Sequence, residues 1–191
     1  MSLADRPWLQ TYTGGAWCAD DPADYQYSIP EIAHALSNTC RFAGHCREFY
    51  SVSQHSVLVA QAVAISHPGS DKRLLQAALL HDAAEAFCLD MPSPIKRTPM
   101  MDAYRVWIRK VETEIGWQFR LLEYPTNPAI KYADLQVLAT EKRDVLGSCI
   151  HDAMWLETVL GGLPAPLESV IKPLPPKRAK ALFIKHWESL R

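Results

Sequence analysis

Apolar positions return every three or four residues through most of the chain, and prolines, glycines and polar clusters cut that rhythm into segments. The run YSVSQHSVLVAQAVAI predicts a helix over about 51–66, and DKRLLQAALLHDAAEAF a second over about 71–87, with His67-Pro68-Gly69 turning the chain between them. Met101, Tyr104, Ile108, Val111 and Ile115 mark one face of a long helix that Thr98-Pro99 would start. Asn127-Pro128 opens another, PAIKYADLQVLATEKRD, which Gly147 would stop. A further helix is expected over about 150–160, closed by Gly161-Gly162, and LPAPLESVIKPLPP should run extended. The final segment sets Ala179, Leu182, Phe183, Trp187 and Leu190 on one stripe. Near the start, Ser28, Pro30 and Glu31 signal a short helix ending by Ser37-Asn38. Only WLQTYTGGAW alternates with a period of two, and Gly14-Gly15 suggests a hairpin with a two-residue turn. The expected fold is all-α, a helical bundle with a small N-terminal β-hairpin, and the absence of repeats makes it one domain.

Composition narrows the class. With 191 residues and 48% apolar content the chain can bury a sizeable core. A net charge of −1, with both signs interleaved, gives no broad basic field for a nucleic-acid polymer. No apolar run reaches membrane-spanning length, and MSLADRPWLQ lacks the pattern of a secretory signal. Five cysteines without a CxxC pair suggest reduced thiols, so the expected location is the cytoplasm. Cys40, His45 and Cys46 lie close in sequence, but a fourth zinc partner is missing.

The informative residues are ionisable ones set into apolar helices. Such groups are costly to bury unless something compensates them. His81 and Asp82 follow a Leu/Ala run, and in a continuous helix they stand about 100° apart and reach one point, with Glu85 a turn further on the same side. His55 and Asp134 each interrupt another apolar helix, and a bound cation would account for the set His55, His81, Asp82 and Asp134. An isolated His-Asp dipeptide arises readily by chance. His151-Asp152 is such a dipeptide, with no comparable partners around it.

The runs IAHALSNTCRFAGH, FYSVSQHSVLVA, LLHDAAEAFCLDMPSPIK and KYADLQVLATEKRD, between Ile32 and Asp144, resemble the HD-domain metal-dependent phosphohydrolases. Within these the likeness is to the compact nucleotide hydrolases: bacterial 5′-deoxynucleotidases, phage and prophage HD hydrolases, and phage dATP triphosphohydrolases. The resemblance implies an HD-domain core over about 28–147 with a helical extension over 148–191. It implies one divalent transition metal (Mn, Co, Ni, Fe or Zn) on His55, His81, Asp82 and Asp134, and an additional Mg or Mn carried with the substrate phosphates is compatible with it.

Glu85 would handle a proton for metal-bound water attacking phosphorus, or would alternatively orient a histidine ligand. Arg41 and Phe42 would line the substrate pocket, since a guanidinium forks phosphate oxygens and an aromatic face stacks on a base. His45, Asp90 and Lys96 complete the expected pocket, and Lys131 could help offset a triphosphate. For each of these a plainer role as core, turn or solvated side chain stands beside the functional one. The implied activity is release of phosphate from deoxynucleotides of the dATP or dAMP type, by triphosphohydrolase or 5′-nucleotidase chemistry, in a homo-oligomer. The alternatives are a catalytically degenerate nucleotide-binding protein and, more remotely, a cyclic-nucleotide phosphodiesterase.

Overall fold

Local chemistry accounts for where each element begins. The computed structural model describes residues 3–121, 124–154 and 164–191. Strands β1 (Trp8–Gln10) and β2 (Ala16–Cys18) pair antiparallel, with Trp8 opposite Cys18 and Gln10 opposite Ala16. The hairpin connection is longer than the expected two-residue turn. Thr11 N–H donates to Gly15 O (2.8 Å) and Gly14 N–H to Thr11 O (3.0 Å), so Tyr12, Thr13 and Gly14 form the loop. Only Gly14 needs a left-handed backbone, at φ 89°. Helix α1 (Ile29–Asn38) begins after extended Ser28 with Pro30 in its first turn. Helix α2 (Val52–Ser66) is capped by the Ser51 hydroxyl, which accepts from Gln54 N–H. Asp71 does the same for α3 (Lys72–Leu79), through Arg73 N–H.

The helix expected over 71–87 is broken in two. Helix α3 stops at Leu79, a turn covers residues 80–84, and a single helical turn, α4 (Glu85–Cys88), follows. Short α5 (Ser93–Lys96) and long α6 (Asp102–Gln118) come next. Helix α7 (Pro128–Glu141), capped by Asn127, passes into a π-helical turn, Lys142–Leu146, that ends at Gly147 with φ 78°. The last helix is α8 (Pro176–Ser189). The helix anticipated over 150–160, with its glycine stop, falls largely outside the described residues.

Helix α2 is the axis of the bundle. It carries apolar or small residues on nearly every side because α1, α3, α7 and α8 all pack around it. Val57, Val59, Ala60 and Val63 are buried there among Leu36, Leu79, Ile130 and Phe183. Between residues 164 and 175 the proline-rich connector forms neither helix nor strand and bends at Glu168-Ser169, and side chains bond parts of its backbone. Gln54 donates to Lys172 O and accepts from Leu174 N–H, while Thr140 Oγ1 and Asp144 accept from Leu167 and Ile171 N–H. Among the described residues no helix is long and apolar enough to cross a membrane.

Candidate metal centre

Three elements deliver ionisable side chains to one buried point beside α2. Helix α2 presents His55, the turn after α3 presents His81 and Asp82, and α7 presents Asp134 and, two turns on, Glu141. The turn holds itself by bonds to the third residue back: Ala83 N–H to Leu80 O (2.8 Å), Glu85 to Asp82 (2.9 Å), Ala86 to Ala83 (3.2 Å). His81 Nδ1 donates to Ala78 O (2.8 Å), satisfying a carbonyl at the end of α3. Tyr124 Oη donates to Leu80 O (2.7 Å) and ties the turn to the segment that follows α6.

Those bonds decide where the imidazole protons sit. A backbone carbonyl only accepts, so His81 keeps its proton on Nδ1. His55 Nδ1 faces the Glu141 carboxylate at 2.8 Å and donates likewise. Both Nε2 atoms are thereby turned to each other, 3.2 Å apart. Two imidazole lone pairs repel at that distance unless a positive charge, a proton or a metal ion, lies between them. Carboxylate oxygens surround the same point: Asp82 Oδ2 is 3.2 Å from His81 Nε2 and 3.5 Å from His55 Nε2, and Asp134 Oδ1 is 3.4 Å from His55 Nε2. Ligand bonds of about 2.0–2.2 Å set neighbouring donors roughly 2.8–3.6 Å apart in octahedral or tetrahedral arrangements, so these spacings suit a first-row divalent ion. The buried group of His55, His81 and Asp82 could hold a metal ion, its donor atoms all lying within 4.8 Å of one another. Asp134 joins it through His55, its other oxygen being held by Lys131 at 2.7 Å.

The field at this point is cation-seeking. Burial opposes charging His55, as does Arg41, yet Glu141 and Asp134 lift its pKa to about 9. Burial likewise opposes ionising Asp82, and His81 and His55 overcome it, so the carboxyl stays below its usual range. Asp134 is held well below that range against burial, chiefly by His55.

No family model matches the chain. It is 36% identical over 182 residues to the uncharacterized protein YfdR of Escherichia coli, covering 95% of this chain and 94% of YfdR. The chain belongs to the YfdR family. The uncharacterized protein RCAP_rcc00048 of Rhodobacter capsulatus is 30% identical over 195 residues, 97% of either chain.

The other side chains singled out in the sequence take unequal places in this YfdR-family fold. Glu85 is buried beside the centre, with Oε1 3.7 Å from Lys96 Nζ and Oε2 without a hydrogen-bond partner among the described residues. Burial, then Asp82 and Asp90, raise its pKa well above the usual carboxylate value. Arg41 is buried rather than exposed to solvent. It donates to Glu141 Oε2 (3.0 Å), lies 3.6 Å from Asp82 Oδ2 and sits over the Phe42 ring. Phe42 and Ala43 adopt left-handed backbone at φ 54° and 52° in the turn Arg41–Gly44, which directs Arg41 inward. Asp90 is within electrostatic reach of Arg41 and Asp82, and burial raises its pKa. His45 is exposed at the end of the turn, and no contact among the described residues ties it to the centre. Lys131 is engaged by Asp134. His151 is exposed, and Asp152 pairs with Lys142 at 2.6 Å.

Glu141 escaped the sequence reading. It is wholly buried and serves both His55 and Arg41. Its signal lay in spacing: it stands seven residues after Asp134, on the same face of α7.

Proposed function

We propose that this protein is a metal-dependent phosphohydrolase of small nucleotides, with deoxyadenosine phosphates as the preferred class. The observation that carries the metal part is the convergence of His55 Nε2, His81 Nε2 and Asp82 within 4.8 Å of one another, with Asp134 beside them. Mixed nitrogen and oxygen donors suit Mn, Co, Ni, Fe or Zn. Such an ion supplies Lewis acidity toward a phosphoryl oxygen and makes water more acidic.

The chain's own residues supply the remainder. Glu85, with a raised pKa and one buried oxygen lacking a partner, is suited to give a proton to a leaving oxygen or take one from water. Arg41 has a buried Nε without a partner among the described residues, a donor available to a substrate anion once the guanidinium shifts from Asp82. Lys96, beside Glu85, adds a positive charge near the same point. Asp90 can accept a sugar hydroxyl and Phe42 can stack on a base. The choice of deoxyadenosine rests on the resemblance of the Arg41-Phe42 pair and Asp90 to the phage-type hydrolases.

A panel of nucleoside mono-, di- and triphosphates assayed for phosphate release with Mn, Co, Ni, Zn and Mg tests the reading. Turnover of deoxyadenosine nucleotides with a transition metal is expected. Absence of turnover on every nucleotide would replace the enzyme by a nucleotide-binding protein with a degenerate site.

A further inference from the structure

Glu141 is placed where one carboxylate does two jobs. Its Oε1 accepts from His55 Nδ1 at 2.8 Å and its Oε2 accepts from Arg41 Nη2 at 3.0 Å, and both Glu141 and His55 are wholly buried. The buried Tyr50 hydroxyl lies close enough to Glu141 to interact with it, and has no hydrogen bond of ordinary geometry among the described residues. We infer that Glu141 is the positioning residue of the centre: it keeps the His55 proton on Nδ1, and its charge is required because Arg41 claims its second oxygen. The inference rests on the metal reading of the site and is independent of what the protein hydrolyses.

The requirement for a carboxylate follows from donor counting. Both neighbours of Glu141 donate, so the residue between them must accept on both sides. A glutamine of the same shape accepts on one side only. The Arg41 guanidinium is the charged donor and takes the amide oxygen, since charge-assisted hydrogen bonds are the stronger ones. The amide NH2 then faces His55 Nδ1, which must become an acceptor. Its proton moves to Nε2, the atom directed at His81, Asp82 and Asp134. That tautomer points an N–H at the cation position and closes it. If the amide turns round instead, its NH2 meets Arg41 donor against donor. Either way E141Q acts through Arg41, which a loss of packing would not do.

The test is a double-mutant cycle on metal affinity, with no nucleotide present. Dissociation constants for Mn are measured at one pH for the wild type, E141Q, R41M and E141Q/R41M, with thermal melts to confirm folding. In the wild-type background E141Q should weaken Mn binding by about 10–100-fold, the range for lost outer partners of a metal-bound histidine. In the R41M background the amide is free to turn its oxygen to His55, and the same substitution should cost little. Comparison within each background removes the effect of Arg41's own charge on the cation. An equal loss in both backgrounds, or none in either, would overturn the inference. If E141Q does not fold, the comparison of R41M with E141Q/R41M decides: similar affinities support it and a tenfold difference refutes it. A wild-type protein that binds no Mn would remove the metal reading itself and the inference with it, a result separate from the other two.

Discussion

Two buried glutamates show how differently one residue type can be used. Glu31, at the start of α1, accepts hydrogen bonds from Thr11 (2.6 Å), Tyr25 (2.7 Å), Ser28 (3.1 Å) and Thr13, joining the hairpin and its following loop to the bundle. Burial raises its pKa, but the four donors outweigh burial and hold it below the usual value. A group with a depressed folded pKa stabilises above its unfolded pKa, near 4.3, and loses that contribution as pH falls through the folded value. Melting temperature should therefore drop more steeply below about pH 4.3 in the wild type than in Glu31→Gln. At neutral pH Glu31→Ala should cost about 2–3 kcal/mol, in the range for hydrogen bonds to a charged group, as read by urea unfolding. Parallel acid profiles would remove this role.

Glu85 is the opposite case, a carboxyl with a raised pKa and one oxygen unbonded. Glu85→Gln should keep metal and nucleotide binding while turnover falls by roughly 10²–10⁴-fold, the contribution of general acid–base catalysis. Near-normal turnover would exclude the role, and loss of metal would make Glu85 a ligand. Histidines and aspartates in apolar runs announce themselves in a sequence. Glu141 did not, because the acidic and basic residues around it, in TEKRD, read as a solvated helix end.

At the scale of elements, the turn after α3 was the feature hardest to read. Leu74 to Ala86 has the composition of an uninterrupted helix, and no proline or glycine marks Leu80. One tertiary and one local bond hold the break: Tyr124, distant in sequence, donates to Leu80 O, and the His81 side chain takes Ala78 O three residues back. Gly116 permits this, since a Cβ there would stand 2.8 Å from Tyr124 Cδ1. Tyr124→Phe should lower unfolding free energy by about 1 kcal/mol and weaken metal binding, because Leu80 O keeps only the Ala83 N–H and loses the donor that anchors the turn from outside. An unchanged denaturant midpoint would show that the turn is held without it. The helix starts expected near residues 51, 71 and 127 lie within a residue of those of α2, α3 and α7, and Ser51, Asp71 and Asn127 cap them by local bonds that need no distant partner.

Across the whole molecule, the helical bundle and hairpin follow from periodicity, but the way the bundle closes on its site does not. Helix α8 seats Phe183 and Ala179 in the main core, and Ser53 of α2 donates to Ala179 O at 3.3 Å. The fold thus surrounds α2 and buries His55 completely, and only there do Glu141 and Arg41 matter. A bound ion links three separate elements, so by mass action it should stabilise the fold, by about 2.7 kcal/mol at a hundredfold excess over its dissociation constant. The most direct measurement is the metal content of purified protein by elemental mass spectrometry, comparing wild type with His81→Ala, Asp134→Ala and His151→Ala. The wild type and His151→Ala should carry one divalent ion per chain, and the other two should have lost it. Equal metal content in all four proteins would contradict the assignment of His55, His81, Asp82 and Asp134 as the metal centre.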